Sequence, residues 1–501
     1  MSDIKLNFFS KIFLNISVFR VTYFSLLFMC SFFYTDVFVN NIKPFFLLWG
    51  FYLIYMYQIK PRRYYRGMYF RWLAAFLICG ILTAVIHIAD NFFPNIILLG
   101  HVAVCFFVFY SMHTERNRHR KARELYAVSL IMLTATTVAM IFSFVSLLFG
   151  EYHTEFFGNR YSMVIFENRF TGIFINPNLL AFYGVTAIFF ADVLCKSDLY
   201  VDGDISEKLP KAFFIICVVI NVIGIFLSDS NGSLLLLACY AVGNLIYIIF
   251  RFFKKLSLKG LIIGATSVLL AMVVLTGALL GLRIFSNRAV SVALSAGNAV
   301  SQSEAINPDQ KKGDAGHNGN DMSVVTFAHE NENLDSGRIE LLKKAVVVFY
   351  NNPILGVGKE NILIYGERLM PKGFKYSDLH NGYLTILVSN GLVGFILFAV
   401  FAVSLGRDCL KSVFLEKSDL KKSPFLCMFA FTFAYSLYSL VEKTVLLEQT
   451  YMVVTFWYVL GYLSCYMKKY DHSKENISFA GIFGNRGIDA EKNEAVPEFD
   501  K

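Results

Sequence analysis

Residues 382–406 read GYLTILVSNGLVGFILFAVFAVSLG, a run of 25 residues without a charged side chain. At 1.5 Å per helical residue, about 20 such residues cross a hydrocarbon core of roughly 30 Å. Similar runs recur along the whole 501-residue chain, which is 56% hydrophobic and has a mean hydropathy of +0.53. Because a water-soluble fold of this length cannot bury so much apolar surface, the sequence predicts an all-α polytopic membrane protein.

Twelve apolar runs predict about twelve transmembrane helices. The first run is of full span length and no small-residue cleavage site follows it, so we expect a retained anchor and not a signal peptide. The runs lie at 21–40, 44–59, 72–89, 94–112, 126–150, 177–195, 212–228, 233–250, 261–283, 382–406, 424–441 and 450–467.

Basic segments between alternate pairs of runs predict the topology. Residues 60–71, 115–123, 196–211, 251–260 and 407–422 together carry 22 Lys and Arg, whereas the short opposite loops carry far fewer. The positive-inside rule therefore places both termini in the cytoplasm. The net charge of +9 then reflects topology, and we expect no nucleic-acid partner. The nine cysteines lie in or beside the runs and indicate no disulfide framework.

This topology divides the chain into five parts. We expect a cytoplasmic N-terminus at 1–20, spans one to nine with their loops at 21–283, a large extracytoplasmic loop at 284–379, spans ten to twelve at 380–467, and a disordered cytoplasmic tail at 468–501. The large loop begins with a segment at about 295–335 that is too polar to pack and is predicted to be flexible.

The second half of this loop has a helical pattern. From Ser336 onward, Ile339, Leu342, Val346 and Phe349 form an apolar stripe, and a turn follows at Asn352-Pro353 and Gly356-Val357-Gly358. We expect an amphipathic helix on or near the membrane surface. A second outer loop, of about 25 residues, is expected from Glu151 to Asn176.

Polar residues at the outer ends of the runs are the candidates for chemistry on lipid head groups. Arg169, Asn231, Arg338 and His380 all lie there. Arginine stays charged and grips phosphate with two donors, and histidine can accept a proton near neutral pH. Taken singly, the arginines are also typical snorkelling or salt-bridged residues, and His380 is also a typical helix cap.

Asn176-Pro177-Asn178 predicts a helix start, with Asn176 as the cap and Pro177 in the first turn. His87, His101 and Asp192 are polar residues within or beside apolar runs, and such residues invite a functional reading. For these three, packing or snorkelling is the better interpretation because of their positions and because histidine can stay neutral.

Four stretches resemble one family. They are NRFTGIFINPNLLA (168–181), SDSNGSLLLL (228–237), SGRIELLKKAVVVFYNNPILGVG (336–358) and HNGYLTILVSNGLVGFILF (380–398). In this order and at outer span ends, they resemble the O-antigen ligase and O-antigen polymerase family of bacterial polysaccharide assembly enzymes. The resemblance covers roughly residues 165–400.

The resemblance implies an inverting, metal-independent glycosyltransferase without a cofactor, on a membrane fold similar to C-type glycosyltransferases. It would transfer an undecaprenyl-diphosphate-linked glycan to a glycan or lipid-glycan acceptor on the outer face of a bacterial cytoplasmic membrane. By motif match, Arg169 and Arg338 would bind the diphosphate, and His380 would act as general base or position the acceptor. Asn176, Asn178 and Asn381 would support them.

One position departs from the family pattern. Many members carry an arginine after the serine of the second motif, where this chain has Asn231. The resemblance then implies that a phosphate contact is missing or that another cation supplies it, such as Arg160 or Arg288.

The branch within the family stays open between ligase and polymerase, with a slight preference for polymerase because no lipid A acceptor site is identifiable. Membrane lipids and a chain-length regulator are the other expected partners. The alternative from another class is a polysaccharide or lipid-glycan transporter or flippase. Transporters usually bind substrate near the midplane at broken helices of repeated halves, a pattern absent from this sequence.

Overall fold

The computed structural model describes residues 12–32, 35–59, 67–112, 118–147, 152–156, 159–166, 169–196, 199, 209–252, 263, 266–267, 269–270, 273–275, 277–289, 338–371, 373–415 and 422–467. These residues are mostly helical, as expected. The predicted flexible segment at 295–335 and the predicted tail at 468–501 lie outside them.

The helices follow the apolar runs of the sequence. A π-helical turn extends α2 at Tyr55–Ile59 and another extends α4 at Cys105–Phe109, and residues 277–289 are also helical. In chain order the α-helices are α1 (Ile16–Met29), α2 (Asp36–Ile54), α3 (Phe70–Ile86), α4 (Phe92–Val104), α5 (Arg118–Ser146), α6 (Pro177–Leu194), α7 (Lys211–Leu227), α8 (Asn231–Phe252), α9 (Arg338–Asn351), α10 (Ile362–Leu369), α11 (Gly382–Leu415), α12 (Pro424–Tyr438) and α13 (Tyr451–Tyr466).

Four helical stretches of the described residues are long and apolar enough to cross a membrane. They are Phe92–Phe109, Lys121–Ser146, Pro177–Leu194 and Gly382–Val413. Six shorter apolar helices of 10–17 residues accompany them. A helical membrane protein is therefore supported, and the count of twelve spans stays a prediction.

The run at 21–40 was predicted as one span, but it contains the end of α1 and the start of α2. The backbone of Ser31 and Phe32 leaves the helix between them and pairs with residues after the third strand. Ile175 N donates to Ser31 O at 3.0 Å, and Phe32 forms an isolated bridge with Phe174. Backbone groups freed by the break thereby find partners.

The predicted outer loop at 151–176 is not a simple loop. It forms a three-stranded antiparallel sheet of β1 (Tyr152–Phe156), β2 (Asn159–Phe166) and β3 (Arg169–Gly172) in the order β1-β2-β3. Tyr, Phe, Val and Ile, which favour strands, are frequent in this segment. The chain is mostly helical, as predicted, but the sequence analysis does not predict this small sheet, which carries Arg169 at the start of its last strand.

Helix α11 is broken at Gly391, where the backbone has φ +63° and ψ −170°. Residues 353–358 (PILGVG) lie against the break and satisfy it. Leu392 N donates to Pro353 O and Val393 N to Ile354 O, while Gly358 N donates to Ser389 O. The turn after α9 is therefore held by α11.

The buried face of α9 differs from the predicted stripe. Leu341, Ala345 and Val348 are buried, whereas Ile339 and Leu342 are exposed. The helix carries apolar residues on more than one side, so periodicity alone misassigned the face that packs on α11. This packing brings Arg338, the first residue of α9, beside the start of α11.

Candidate active site

Arg169 links the first motif to the second. Only 8% of its surface is exposed, and its Nε donates to the backbone oxygen of Ser228 at 3.0 Å. Its Nη2 donates to Asn178 Oδ1 at 2.6 Å. Asn178 lies in the first turn of α6, where the side chain of Asn176 accepts from its backbone N–H as the predicted cap. A buried guanidinium is thus fixed between the starts of α6 and α8.

Asn231 has a cationic neighbour that the sequence analysis did not identify. Arg283, from the helical segment 277–289, donates through Nη1 to Asn231 Oδ1 at 2.7 Å. Its Nη2 forms an ion pair of 3.1 Å with Asp229, which is 5% exposed. A cation therefore stands at the position where the family pattern has arginine, but it comes from another helix.

Of the two cations expected for this role, Arg288 alone has a described side chain, and no contact among the described residues joins it to the second motif. Arg160 belongs to β2, and its side chain lies outside the part of the chain that the structure describes. Arg288 follows Arg283 on the same helical segment, and its side chain is exposed. Of the cations on that segment, Arg283 is the one that contacts the second motif.

Arg338 and His380 meet at one carboxylate. Glu442 lies in the connection between α12 and α13, and its side chain is 14% exposed. Its Oε1 is 3.6 Å from Arg338 Nη2, and its Oε2 is 3.6 Å from His380 Nδ1. The two residues chosen from separate motifs are therefore brought together by a third residue, which belongs to neither motif.

His380 is held in an uncommon backbone conformation. Its φ is +44°, a region that non-glycine residues rarely occupy and that often occurs at functional sites. Its backbone N–H donates to Asp378 Oδ1 at 3.0 Å, and its Nδ1 lies 3.9 Å from Asp378 Oδ2. The imidazole is 48% exposed and can therefore meet a substrate.

Charged neighbours shift the pKa values of His380 and Asp378. The Glu442 carboxylate beside Nδ1 is the main cause that raises the pKa of His380; burial opposes it, Asp378 assists it, and Arg338 opposes it. Burial acts to raise the pKa of Asp378, but Lys443, at 2.6 Å, and His380 together outweigh it, and the pKa is lowered. His380 therefore faces the carboxyl groups of Glu442 and Asp378, and the pKa of Asp378 is lowered.

The start of α11 is joined to the end of α12. Gly382 N donates to Ser439 O at 2.8 Å and to Glu442 O at 3.2 Å. Asn381 caps α11 through Leu384 N, and its Nδ2 donates to Leu440 O at 2.9 Å. These bonds fix Glu442 relative to His380 through the backbone.

Tyr438 connects the two halves of the site. Its buried ring stacks on Phe182, which follows the first motif, with 6.2 Å between the ring centroids, and a Cβ atom at Gly232 of the second motif would lie 3.0 Å from its Cε2. The last turn of α12 and the connection after it are therefore contacted by residues of the second, third and fourth motifs and by Phe182. This stretch, 438–443, reads YSLVEK.

A second set of ion pairs fixes the rest of this connection. Lys443 also binds Glu448 at 3.0 Å, and Glu448 binds Lys359 at 3.2 Å. The sequence did offer a signal for this region, because Glu442, Lys443 and Glu448 crowd the short segment between the last two apolar runs. They lie outside every motif that the sequence analysis used.

The three polar residues interpreted as structural have partners within the fold. His101 is buried and its Nδ1 lies 2.9 Å from Tyr23 Oη. His87 Nδ1 lies 2.7 Å from the hydroxyl of Tyr365. Asp192 pairs with Lys196 at 2.7 Å. These contacts agree with a packing role.

Fold and site together define a helical membrane protein with an arginine-rich polar site where its apolar helices end. Residues 216–399, which contain the second, third and fourth motifs, match the family model described as O-antigen ligase, and this match supports the resemblance to the O-antigen ligase and polymerase family. The match indicates a ligase- or polymerase-type role in polysaccharide assembly. It includes Asn231, Arg283, Arg338 and His380, whereas Arg169 precedes it. No curated protein matches the chain.

Proposed function

We propose that this protein transfers a glycan from an undecaprenyl-diphosphate carrier to an acceptor hydroxyl, as a repeat-unit polymerase or an O-antigen ligase. The reaction would take place at the outer face of the bacterial cytoplasmic membrane, with both termini in the cytoplasm. The observation that carries the proposal is that Arg338 and His380 meet at Glu442, while Arg169 binds the second motif, which packs against Tyr438. A diphosphate needs cations, and a hydroxyl nucleophile needs a base beside them.

In the proposed reaction, His380 accepts the proton of the acceptor hydroxyl. The oxygen forms a bond to the anomeric carbon of the donor as the bond from that carbon to the diphosphate oxygen breaks. Attack from the face opposite the leaving group inverts the anomeric configuration. The departing undecaprenyl diphosphate takes the bonding electron pair.

Guanidinium groups stabilise the charge that develops on the leaving diphosphate. Arg169 and Arg338 are the first candidates. Arg283 is a third, because it contacts Asn231, the residue of the second motif that differs from the family pattern. Arginine suits this role because it stays charged and offers several N–H donors in a fixed plane. We propose that these cations act without a metal ion.

The test uses purified protein in lipid nanodiscs with an undecaprenyl-diphosphate oligosaccharide, without nucleotide or added metal. Longer lipid-linked glycan, seen by gel and mass spectrometry, establishes a polymerase. Transfer only after a second acceptor is added establishes a ligase. Neither product, together with movement of labelled carrier across a liposome bilayer, refutes the proposal in favour of transport.

Variants of the site make this test specific. His380→Ala and Arg338→Ala are expected to abolish transfer while the protein still inserts and purifies normally. Removal of a general base typically costs about 10²–10⁴ in rate. Cys217→Ser, in a helix away from these residues, is the control and is expected to be nearly silent. Normal product from His380→Ala refutes its assigned role.

A further inference from the structure

Glu442 occupies a position that neither the motifs nor the family match assigns. Its two carboxylate oxygens face different cations: Oε1 is 3.6 Å from Arg338, and Oε2 is 3.6 Å from His380 Nδ1. Its backbone is fixed as well, since Glu442 N donates to Tyr438 O at 3.0 Å and Glu442 O accepts from Gly382 N at 3.2 Å. A carboxylate is thus presented to the imidazole by the end of α12.

We propose that Glu442 is a positioning residue that acts through His380. Its carboxylate holds Nδ1, so that Nε2 is left for the acceptor hydroxyl, and it stabilises the imidazolium that forms when Nε2 takes the proton. The inference deepens the proposed function and rests on it.

Every proton and electron pair of the proposed transfer step can be followed. The acceptor O–H proton moves to Nε2 while the Nδ1 proton remains directed at Glu442, which stays ionised. The oxygen lone pair forms the glycosidic bond, and the electrons of the broken bond leave with the diphosphate. Carboxylates orient catalytic imidazoles in this way in serine proteases, without themselves becoming protonated. Hydrogen bonds at such sites are often long before substrate binds.

Every charged group around His380 enters the pH dependence. Asp378 faces Nδ1 from the segment of His380 itself and is partly neutralised by Lys443, whereas Arg338 faces it from α9. Glu442, from the α12–α13 connection, is the main cause of the raised pKa. A raised pKa keeps His380 protonated to higher pH, so the base form and the rate increase with pH through that pKa.

Loss of the Glu442 charge therefore shifts the acid limb of the pH–rate profile in a definite direction. In Glu442→Gln the pKa of His380 falls, and the acid limb of the rate profile shifts to lower pH. The same change frees Arg338 from its carboxylate partner. The KM for the donor is then expected to stay the same or to fall, whereas kcat falls because the imidazolium loses its counter-charge.

The experiment compares Glu442→Gln with Glu448→Gln. Glu448 lies six positions further along the same connection, but it contacts Lys359 and Lys443 and not the pair of cations at the site. Initial rates are measured from about pH 5 to pH 9, a range that spans the usual histidine pKa. For Glu442→Gln we expect an acid limb at lower pH and a kcat lower by roughly tenfold to a hundredfold. Glu448→Gln keeps the wild-type limb.

A second readout does not need activity. Diethyl pyrocarbonate modifies neutral imidazole, and its rate at His380 is followed by mass spectrometry of that peptide as pH varies. The midpoint is expected to be lower in Glu442→Gln than in the wild type. An unmoved midpoint overturns the pairing. If the midpoint of modification shifts in Glu442→Gln but the wild type transfers no glycan, the proposed function is refuted and the pairing of Glu442 with His380 is retained. If kcat is lower but neither the acid limb of the rate profile nor the modification midpoint moves, Glu442 is merely structural.

Discussion

The break in α11 gives the sharpest test of how the site is held. At Gly391 a Cβ atom would lie 2.2 Å from Ile354 O and 2.5 Å from Leu355 N. Both are backbone atoms, so the clash cannot be relieved by rotating a side chain. The backbone of Gly391, with φ +63° and ψ −170°, also lies in a region that essentially only glycine occupies. Gly391→Ala is therefore expected to displace the segment 353–358.

The magnitude follows from two contributions. The unfavourable backbone conformation costs about 1–3 kcal/mol for a residue with a side chain. Displacement of Pro353 and Ile354, the part of the segment that meets Gly391, loses two hydrogen bonds, from Leu392 N to Pro353 O and from Val393 N to Ile354 O, at about 1 kcal/mol each. Gly391→Ala should thus lower the free energy of unfolding by about 3–5 kcal/mol.

The assay is equilibrium unfolding in mixed micelles with increasing dodecyl sulfate, followed by far-ultraviolet circular dichroism. Gly406→Ala is the matched control, because it lies in the same helix and a Cβ there meets nothing within 4 Å. It should be stabilising by roughly 0.5–1 kcal/mol, since alanine is the better helix former. If Gly391→Ala unfolds like the wild type, the proposed interlock between α11 and 353–358 is refuted.

Two further variants test how the site binds its donor. Arg283→Gln is expected to raise the KM for the donor roughly tenfold or more, because a charge-assisted contact is lost, whereas Arg288→Gln on the same segment should leave it unchanged; equal effects of the two would contradict a specific role. Tyr438→Phe keeps the ring that stacks on Phe182 and removes only its hydroxyl. We expect kcat/KM to fall about fivefold, the value of one hydrogen bond to the substrate; full activity would show that the hydroxyl is dispensable.

The sequence predicts the helical class well because span length is a property of each run alone. The sequence-based prediction fails where hydrogen-bond partners from distant segments determine the backbone conformation. The run at 21–40 is uncharged at its centre and reads as one helix, yet Ser31 pairs with Ile175 across the fold. Gly391 sits in the middle of an apolar run, and only the approach of residues 353–358 explains why a glycine is needed there.

The residues of the candidate site fall into the same two groups, those that the sequence predicts and those that only the fold reveals. Arg169, Arg338 and His380 were identified because each lies in a short motif at an outer span end. Nothing in the neighbourhood of Arg283 marks it, and the charged segment that contains Glu442 belongs to none of the motifs, so folding alone brings these two residues to the site. Arg283, and not Arg288, contacts the second motif for the same reason: the chain offers several cations near this motif, and a sequence does not tell which one faces it. The role expected for Arg160 stays a prediction.

The ends of α11 and α12 explain why Glu442 and His380 meet at residues 438–443. The last carbonyls of α12 lack partners within their own helix, and the first N–H groups of α11 lack them too. Gly382 N meets Ser439 O and Glu442 O, so each helix end satisfies the other. The positive end of α11 then lies beside the Glu442 carboxylate, and the negative end of α12 lies beside His380. Both the carboxylate and the imidazolium are therefore stabilised by backbone that the fold needs for its own hydrogen bonding, and the pair does not depend on Arg338 alone.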